Sequence, residues 1–297
     1  MSHSTDPFAP LPSIESHLDR ISRTPGAPPA LSSAIRYALL QGGKRLRPIL
    51  AWHAAVACGS SGERSLDTGA AVELVHAFSL VHDDLPAIDN DDLRRGKPTL
   101  HKHAGESMAI LAGDAMLSGA FELLASSSLS INPAIGLALL RELSAATTAM
   151  IHGQVWDTLG GVDGSLSPID QLRTIHSHKT GALIRASCRM GAIVALGHAD
   201  EKHPTLAAIT AYADAIGLMF QVVDDLIDVE QPAEHVGKKT GKDADAGKLT
   251  YPSVFGLDGT RSEISRLLKA SQIALQPLGA NARSLGALAE YLARRTR

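Results

Sequence analysis

The chain has 297 residues, 44% of them hydrophobic and 20% charged, with a formal net charge of −3 and a pI of about 6.5. That supply of apolar residues suits one large packed core, and the absence of a basic stripe argues against a nucleic-acid partner. Two cysteines, Cys58 and Cys188, make no disulfide framework, residues 1–7 carry no basic or apolar leader, and no uncharged apolar run reaches 18 residues, so a cytoplasmic chain without signal peptide or membrane span is expected.

Apolar residues recur at helical spacing almost throughout, aromatics are only 4%, and sustained period-two alternation is missing, so the fold class is all-α. Residues 1–12 and the Pro-rich 24–29 are expected to be loosely held. A helix over 30–41 stops at Gly42-Gly43. The next, 48–58, has Pro48 in its first turn and Gly59 beyond its end. A long helix over 64–84 runs into a cluster of aspartates. Further helices are predicted over 104–127, 133–159, 168–178, 180–197, 204–230, 250–257, 260–275 and 281–295. Asn132-Pro133, Ser167-Pro168 and His203-Pro204 are start signals for three of these. The stretch 231–249 is rich in Lys, Gly and Asp and reads as a mobile loop. No internal repeat interrupts 1–297, which is taken as a single domain.

Function is written mainly in two acidic boxes. The first is His82-Asp83-Asp84-Leu85-Pro86-Ala87-Ile88-Asp89-Asn90-Asp91-Asp92, and the second is Gln221-Val222-Val223-Asp224-Asp225-Leu226-Ile227-Asp228. Each follows an apolar helical stretch. Carboxylates packed so closely repel one another and call for positive charge. Hard oxygen ligands of this kind favour Mg²⁺, which takes one or two protein carboxylates and completes its octahedron with water and phosphate oxygens. In the second box Asp224 and Asp228 share a helix face, while Asp225 points elsewhere, toward a basic partner. In the first, Pro86 breaks the helix, and a bulge there brings Asp83 and Asp89 back toward one metal. Read singly, the first box is equally an acidic helix end exposed to water, and the second is more often that than a metal site; the pairing favours metal.

The cations complement the boxes. Gly42-Gly43-Lys44-Arg45-Leu46-Arg47-Pro48 places Lys44 and Arg47 at a helix start, where free N–H groups also attract phosphate. Arg94-Arg95-Gly96-Lys97 follows the first box, and arginine suits bidentate phosphate contacts. Arg45 and Lys97 read equally well as ordinary basic loop residues. His76 lies two helical turns before Asp83, on its face, although a lone helical histidine is more often structural. Lys179-Thr180-Gly181, Lys238 in Gly237-Lys238-Lys239-Thr240-Gly241, and Lys248 after Gly247 have glycine neighbours that permit close approach to an anion. No Cys/His zinc spacing, Walker loop, dinucleotide fingerprint or nucleophile elbow is present.

Taken in order, these segments resemble the trans-prenyltransferases, the short-chain polyprenyl diphosphate synthases, and within them bacterial farnesyl diphosphate synthases. The likeness runs from about residue 30 to 257 and includes Val75 to Asp84, Gly113-Asp114, Gly153-Gln154, His178 to Leu183, Phe220-Gln221 and Tyr251-Pro252. The resemblance implies antiparallel helices around a deep central cavity, a homodimer, and three Mg²⁺ ions, with Mn²⁺ an open substitute, between the boxes and an allylic diphosphate. It implies metal on Asp83, Asp84, Asp89, Asp224 and Asp228. Arg94, Lys179, Lys238 and Lys248 would contact the allylic diphosphate and its lid, and Lys44, Arg47, His76 and Arg95 isopentenyl diphosphate. Thr180 and Gln221 would lie against the reacting carbons.

Chain length falls to Phe78 and its neighbour Ser79, just before the first box. Phe78 lies five residues, about 7.5 Å of helical rise, before Asp83. The resemblance implies that the helix before the first box floors the product pocket and that an aromatic ring there, with the longer box, stops growth at fifteen carbons. Asn90, in place of an aspartate, also fits geranylgeranyl synthases and keeps a twenty-carbon product open. A terpene cyclase and a regulatory subunit of a heteromeric synthase are the competing readings; the Gly-Gly-Lys-Arg-Leu-Arg-Pro segment argues against the first and the two intact boxes against the second.

Overall fold

The structure, a computed structural model, describes residues 6–23, 26–126, 132–230 and 249–295. Twelve α-helices are found among them: α1 (Leu11–Ile21), α2 (Pro29–Leu39), α3 (Leu46–Ala57), α4 (Leu66–Asp83), α5 (Leu100–Ala104), α6 (Glu106–Ser126), α7 (Pro133–Leu159), α8 (Pro168–His176), α9 (Ala182–Leu196), α10 (Pro204–Glu230), α11 (Tyr251–Leu275) and α12 (Arg283–Arg294). The fold is all-α, as expected. One small departure is a two-stranded antiparallel ribbon, β1 (Leu93–Arg94) with β2 (Lys97–Pro98), which turns the chain at Arg95-Gly96. The expected start signals operate: Asn132 Oδ1 accepts from the Ala134 N–H at 3.1 Å, and Ser167 Oγ from the Asp170 N–H at 3.3 Å.

Helix α9 lies at the centre, buried at Leu183, Ile184 and from Ala186 to Val194, and packed by α3, α4, α7 and α10. Around it the long apolar helices α4 and α10 carry the two acidic boxes at their C-terminal ends. Three boundaries differ from expectation. Helix α1 was not anticipated; Ile14 and Leu18, one turn apart, bury its inner face. Ahead of it, Phe8 packs edge-on against Tyr291 at 4.9 Å, so residues 6–12 are held to the body. The expected 250–257 and 260–275 helices form one element with a break at Gly256, whose φ of 68° interrupts the helical path. Residues 231–248, with most of the expected loop, lie outside the described residues.

Helices α6, α7 and α10 are each long and apolar enough to cross a membrane by length and composition, which the criterion of an uncharged run had not flagged. Part of each is packed inside the fold, but α6 and α7 leave Ile110, Leu111, Leu137, Ile151 and Val155 exposed.

Candidate active site

The first box leaves α4 at Asp83 and doubles back. The Asp89 N–H donates to the Asp83 carbonyl at 2.9 Å, so the bulge at Pro86 returns Asp89 to Asp83. Burial pushes the Asp83 carboxyl up to about 7; Lys179 pulls against that shift, while Asp89 adds to it by repulsion. Asp84, expected among the metal ligands, has a cation of its own in this structure. It is buried and gripped by Arg94, whose Nε donates at 2.8 and 3.0 Å, so Asp84 and Arg94 occupy each other. A chain that puts an arginine on the second aspartate leaves Asp83 and Asp89 as the pair turned toward the cleft.

The π-turn Ser177–Gly181 lies across this cleft, between α8 and α9. It presents Lys179, whose Nζ donates to Asp157 on α7 at 2.6 Å, and buries Thr180. Gly153 on α7 permits this approach: a Cβ there would stand 2.2 Å from the Lys179 backbone nitrogen. On the other side Gly181 touches Gly217 of α10, one turn before Gln221, and so ties the π-turn to the second box. Gln221 Nε2 donates to Asp224 Oδ2 at 3.2 Å. Asp224 keeps 41% of its side chain open to solvent, yet burial pushes its carboxyl up to about 6, resisted by Arg295 and reinforced by Asp225 and Asp228. Asp225 turns the other way. As expected it meets a basic partner, His176 Nε2 at 3.3 Å, and it also accepts the Tyr251 N–H at 2.9 Å.

Beside the boxes lies a cavity of about 370 Å³ lined by Lys44, Arg47, His76, Arg95, Phe220 and Tyr291, among others. It forms because Arg45 takes a left-handed conformation, φ 47°, just before α3, which sends Arg45 inward and Lys44 and Arg47 to the cavity. The basic-loop reading of Arg45 is thereby corrected. Arg45 is a buried strut that donates to Glu73 at 3.0 Å, Glu15 at 2.7 Å and the Leu39 carbonyl at 2.8 Å. Gly43, at φ 125°, lets Arg95 lie against the loop, where Arg95 donates to the Gly42 carbonyl. Burial lowers Arg47 to about 10, with Glu73 opposing, and Arg47 Nε has no partner among the described residues. Burial, with the arginines nearby, holds His76 well below the ordinary imidazole range, so it is neutral at pH 7. A cavity with several cations and a neutral imidazole suits a diphosphate.

Phe78 is buried on α4, its ring 4.9 Å from that of His82. His82 in turn presses on Gly113 of α6, where a Cβ would meet the ring at 2.2 Å. Ser79 donates to the His76 carbonyl at 3.0 Å. Lys238 and Lys248 lie outside the described residues. Sequence reasoning overlooked Glu73, Asp157, His176, Tyr291 and Arg295. Glu73 had a legible signal, a lone acid in the apolar run Ala70 to Val75 and three residues before His76.

The donor set fits Mg²⁺: hard carboxylate oxygens on two helix ends, with Asp83 and Asp224 both destabilised as anions. Among the described residues no three ligating side chains converge as a closed metal site.

Comparisons with known proteins agree with this geometry. The polyprenyl synthetase family matches residues 28–276. A geranylgeranyl pyrophosphate synthase, number 7, chloroplastic, of Arabidopsis thaliana is 44% identical over 272 residues, covering 90% of this chain and 77% of its own. Among solved structures, a geranyltransferase from Legionella pneumophila is similar at a TM-score of 0.83 and 33% identity, over 96% of this chain and 95% of its own. An FPP/GFPP synthase from Zymomonas mobilis gives 0.82 and 34%, over 95% of each. With matched residues spanning both acidic boxes and the cavity cations Lys44, Arg47 and Arg95, the chain belongs to the polyprenyl synthetase family and is a prenyltransferase of isoprenoid biosynthesis.

Proposed function

We propose that this prenyl diphosphate synthase condenses isopentenyl diphosphate with dimethylallyl and then geranyl diphosphate, releasing diphosphate and farnesyl diphosphate. The observation that carries the reading is the cavity lined by Lys44, Arg47, neutral His76 and Arg95, together with an acidic box at the end of each of α4 and α10. Isopentenyl diphosphate sits in the cavity. The allylic diphosphate sits in the cleft, near Lys179. Asp83 and Asp89 on one wall and Asp224 with Asp228 on the other would hold Mg²⁺, which would supply charge neutralisation for the leaving diphosphate. Lys179 adds a cation where that charge develops, and Lys238 and Lys248 are assigned to the same diphosphate. Arg94 reaches it by way of Asp84, or directly once that pair opens. The allylic C–O bond breaks, the double bond of isopentenyl diphosphate attacks the allylic carbon, and the proton leaves to the departing diphosphate. Thr180 and Gln221 lie along the reacting carbons, and no side-chain base is needed.

Phe78 supports the fifteen-carbon product: its ring is buried on α4 beside His82, which in turn packs on Gly113 of α6. A twenty-carbon product is the second reading, favoured by Asn90 and by the name of the Arabidopsis relative. Product analysis with isopentenyl diphosphate, Mg²⁺ and each allylic starter decides. A dominant fifteen-carbon diphosphate supports the proposal, a twenty-carbon one selects the second reading, and no elongation rejects both. The exposed apolar faces of α6 and α7 support a homodimer; sedimentation as a monomer at micromolar concentration would exclude it. The free thiols Cys58 and Cys188 support a cytoplasmic setting.

A further inference from the structure

Arg295, one residue past α12, is 71 positions from Asp224 in sequence but bonded to it in space. Its Nη2 donates to Asp224 Oδ1 at 2.6 Å and to the Phe220 carbonyl at 2.7 Å. The guanidinium lies 3.7 Å from the centre of the Phe220 ring. Three different contacts thus fix one cation: a charge-assisted bond, a carbonyl and a π face. The side chain is only 8% exposed, and its Nε has no partner among the described residues. Arg295 also lines the cavity, as do Tyr291 and Leu292 of the same helix.

We infer that Arg295 is a resident counter-cation of the second acidic box, one that competes with a divalent metal for Asp224. The inference rests on the reading of Asp224 as a metal-facing carboxylate. Both of its oxygens already have donors, Arg295 on Oδ1 and Gln221 Nε2 on Oδ2. A metal ion takes a carboxylate oxygen at about 2.1 Å, which would set two positive groups side by side on one oxygen. A second lone pair leaves room for both, but the two positive charges repel across the shared carboxylate, so each weakens the other. Coupling of this kind is reciprocal. Metal on the second box loosens the end of α12, and with it the cavity wall at Tyr291 and Leu292. The metal cleft and the cavity are joined through one side chain.

The test is a Mn²⁺ titration of the whole protein without diphosphate, followed by electron paramagnetic resonance of the free ion. Arg295→Gln should bind Mn²⁺ roughly tenfold more tightly, about the worth of one hydrogen bond to a charged group. Arg295→Lys keeps the charge but cannot span both acceptors, and should fall between. Equal or weaker binding in Arg295→Gln overturns the inference, since a merely structural or substrate-facing arginine would give that result. If Arg295→Gln fails to fold by circular dichroism, the sign in Arg295→Lys decides. In the unmodified protein, saturating Mn²⁺ should also speed amide exchange over 288–295, and unchanged protection there counts against loosening. Prenyl transfer by the unmodified protein is measured separately. Tighter Mn²⁺ binding by Arg295→Gln without elongation would sink the enzymatic reading alone, and elongation with unchanged Mn²⁺ affinity would sink the competition alone.

Discussion

Glu73 is the common counter-ion of the cavity, and its removal is a stringent test of how the cavity is held open. Glu73 and Arg45 have side chains only 4% and 2% exposed, paired at 3.0 Å, and Glu73 also favours the charged forms of Arg47 and Arg95. Glu73→Gln leaves the Arg45 charge to Glu15 alone and puts uncompensated repulsion among Arg45, Arg47 and Arg95. Breaking a buried pair by removing one partner costs about 3–5 kcal/mol, against about 5–15 kcal/mol for the total stability of an ordinary domain. Arg45→Met leaves Glu73 buried without its bonded cation and should cost a similar amount. The double variant should cost clearly less than the sum, with a coupling of about 1–3 kcal/mol, because neither charge is then stranded. Urea unfolding of the four proteins at pH 7.5, without metal or diphosphate, gives the cycle. A single-variant loss under about 1 kcal/mol, or strict additivity, would refute the strut.

Other outcomes follow from single positions. Phe78→Ala should lengthen the product by at least one five-carbon unit, at about 3–5 kcal/mol of stability as for buried Phe→Ala changes; an unchanged product in chromatography of the hydrolysed prenols would remove Phe78 as the floor. Gly153→Ala should force α7 off the π-turn, since its Cβ would meet the Lys179 backbone at 2.2 Å. We expect about 1–3 kcal/mol of destabilisation and a lower kcat, and wild-type values in both assays would contradict the close approach. The metal-free protein should lose stability on acidification below pH 6.5 through His53 and His76. Burial depresses both imidazoles, so the unfolded chain binds more protons there and stability rises with pH. Asp83 and Asp224, pushed up to about 7 and about 6, act in the opposite sense, so the comparison must be made between proteins. His76→Gln should flatten the acid-side slope by up to about 1.4 kcal/mol per pH unit, and an identical slope would mean that His76 is not held neutral.

The acidic boxes were legible because their information is local: carboxylates at one-turn spacing after apolar helices, and a proline that forces a bulge. Helix limits were equally local, and Asn132-Pro133 and Ser167-Pro168 start helices where they read. Other features depend on tertiary contact. The inward turn of Arg45 needs Glu15 and Glu73 from two other helices, so from sequence it looked like a loop residue. Asp84 read as one of three equivalent aspartates until β1 placed Arg94 on it. Helix α1 has a narrow apolar stripe among polar residues and gains its stability by docking. Arg295 is an unremarked basic residue near the end of the chain until α12 lies along α10.

The π-turn at Ser177–Gly181 has a consequence for how this protein can vary. One surplus residue in a helical path rotates everything after it by about 100° relative to an unbroken helix, since a turn takes 3.6 residues. Helices α8 and α9 are thus out of phase, and each is free to keep its own pattern of apolar residues. Helix α9 can be packed on all sides while the surplus residue aims Lys179 at Asp157 and the cleft. Removing one residue from this stretch would restore a smooth spiral and turn the whole of α9 against its neighbours, so lengths here are locked even where side chains can change. Substitution can explore this segment; insertion and deletion cannot.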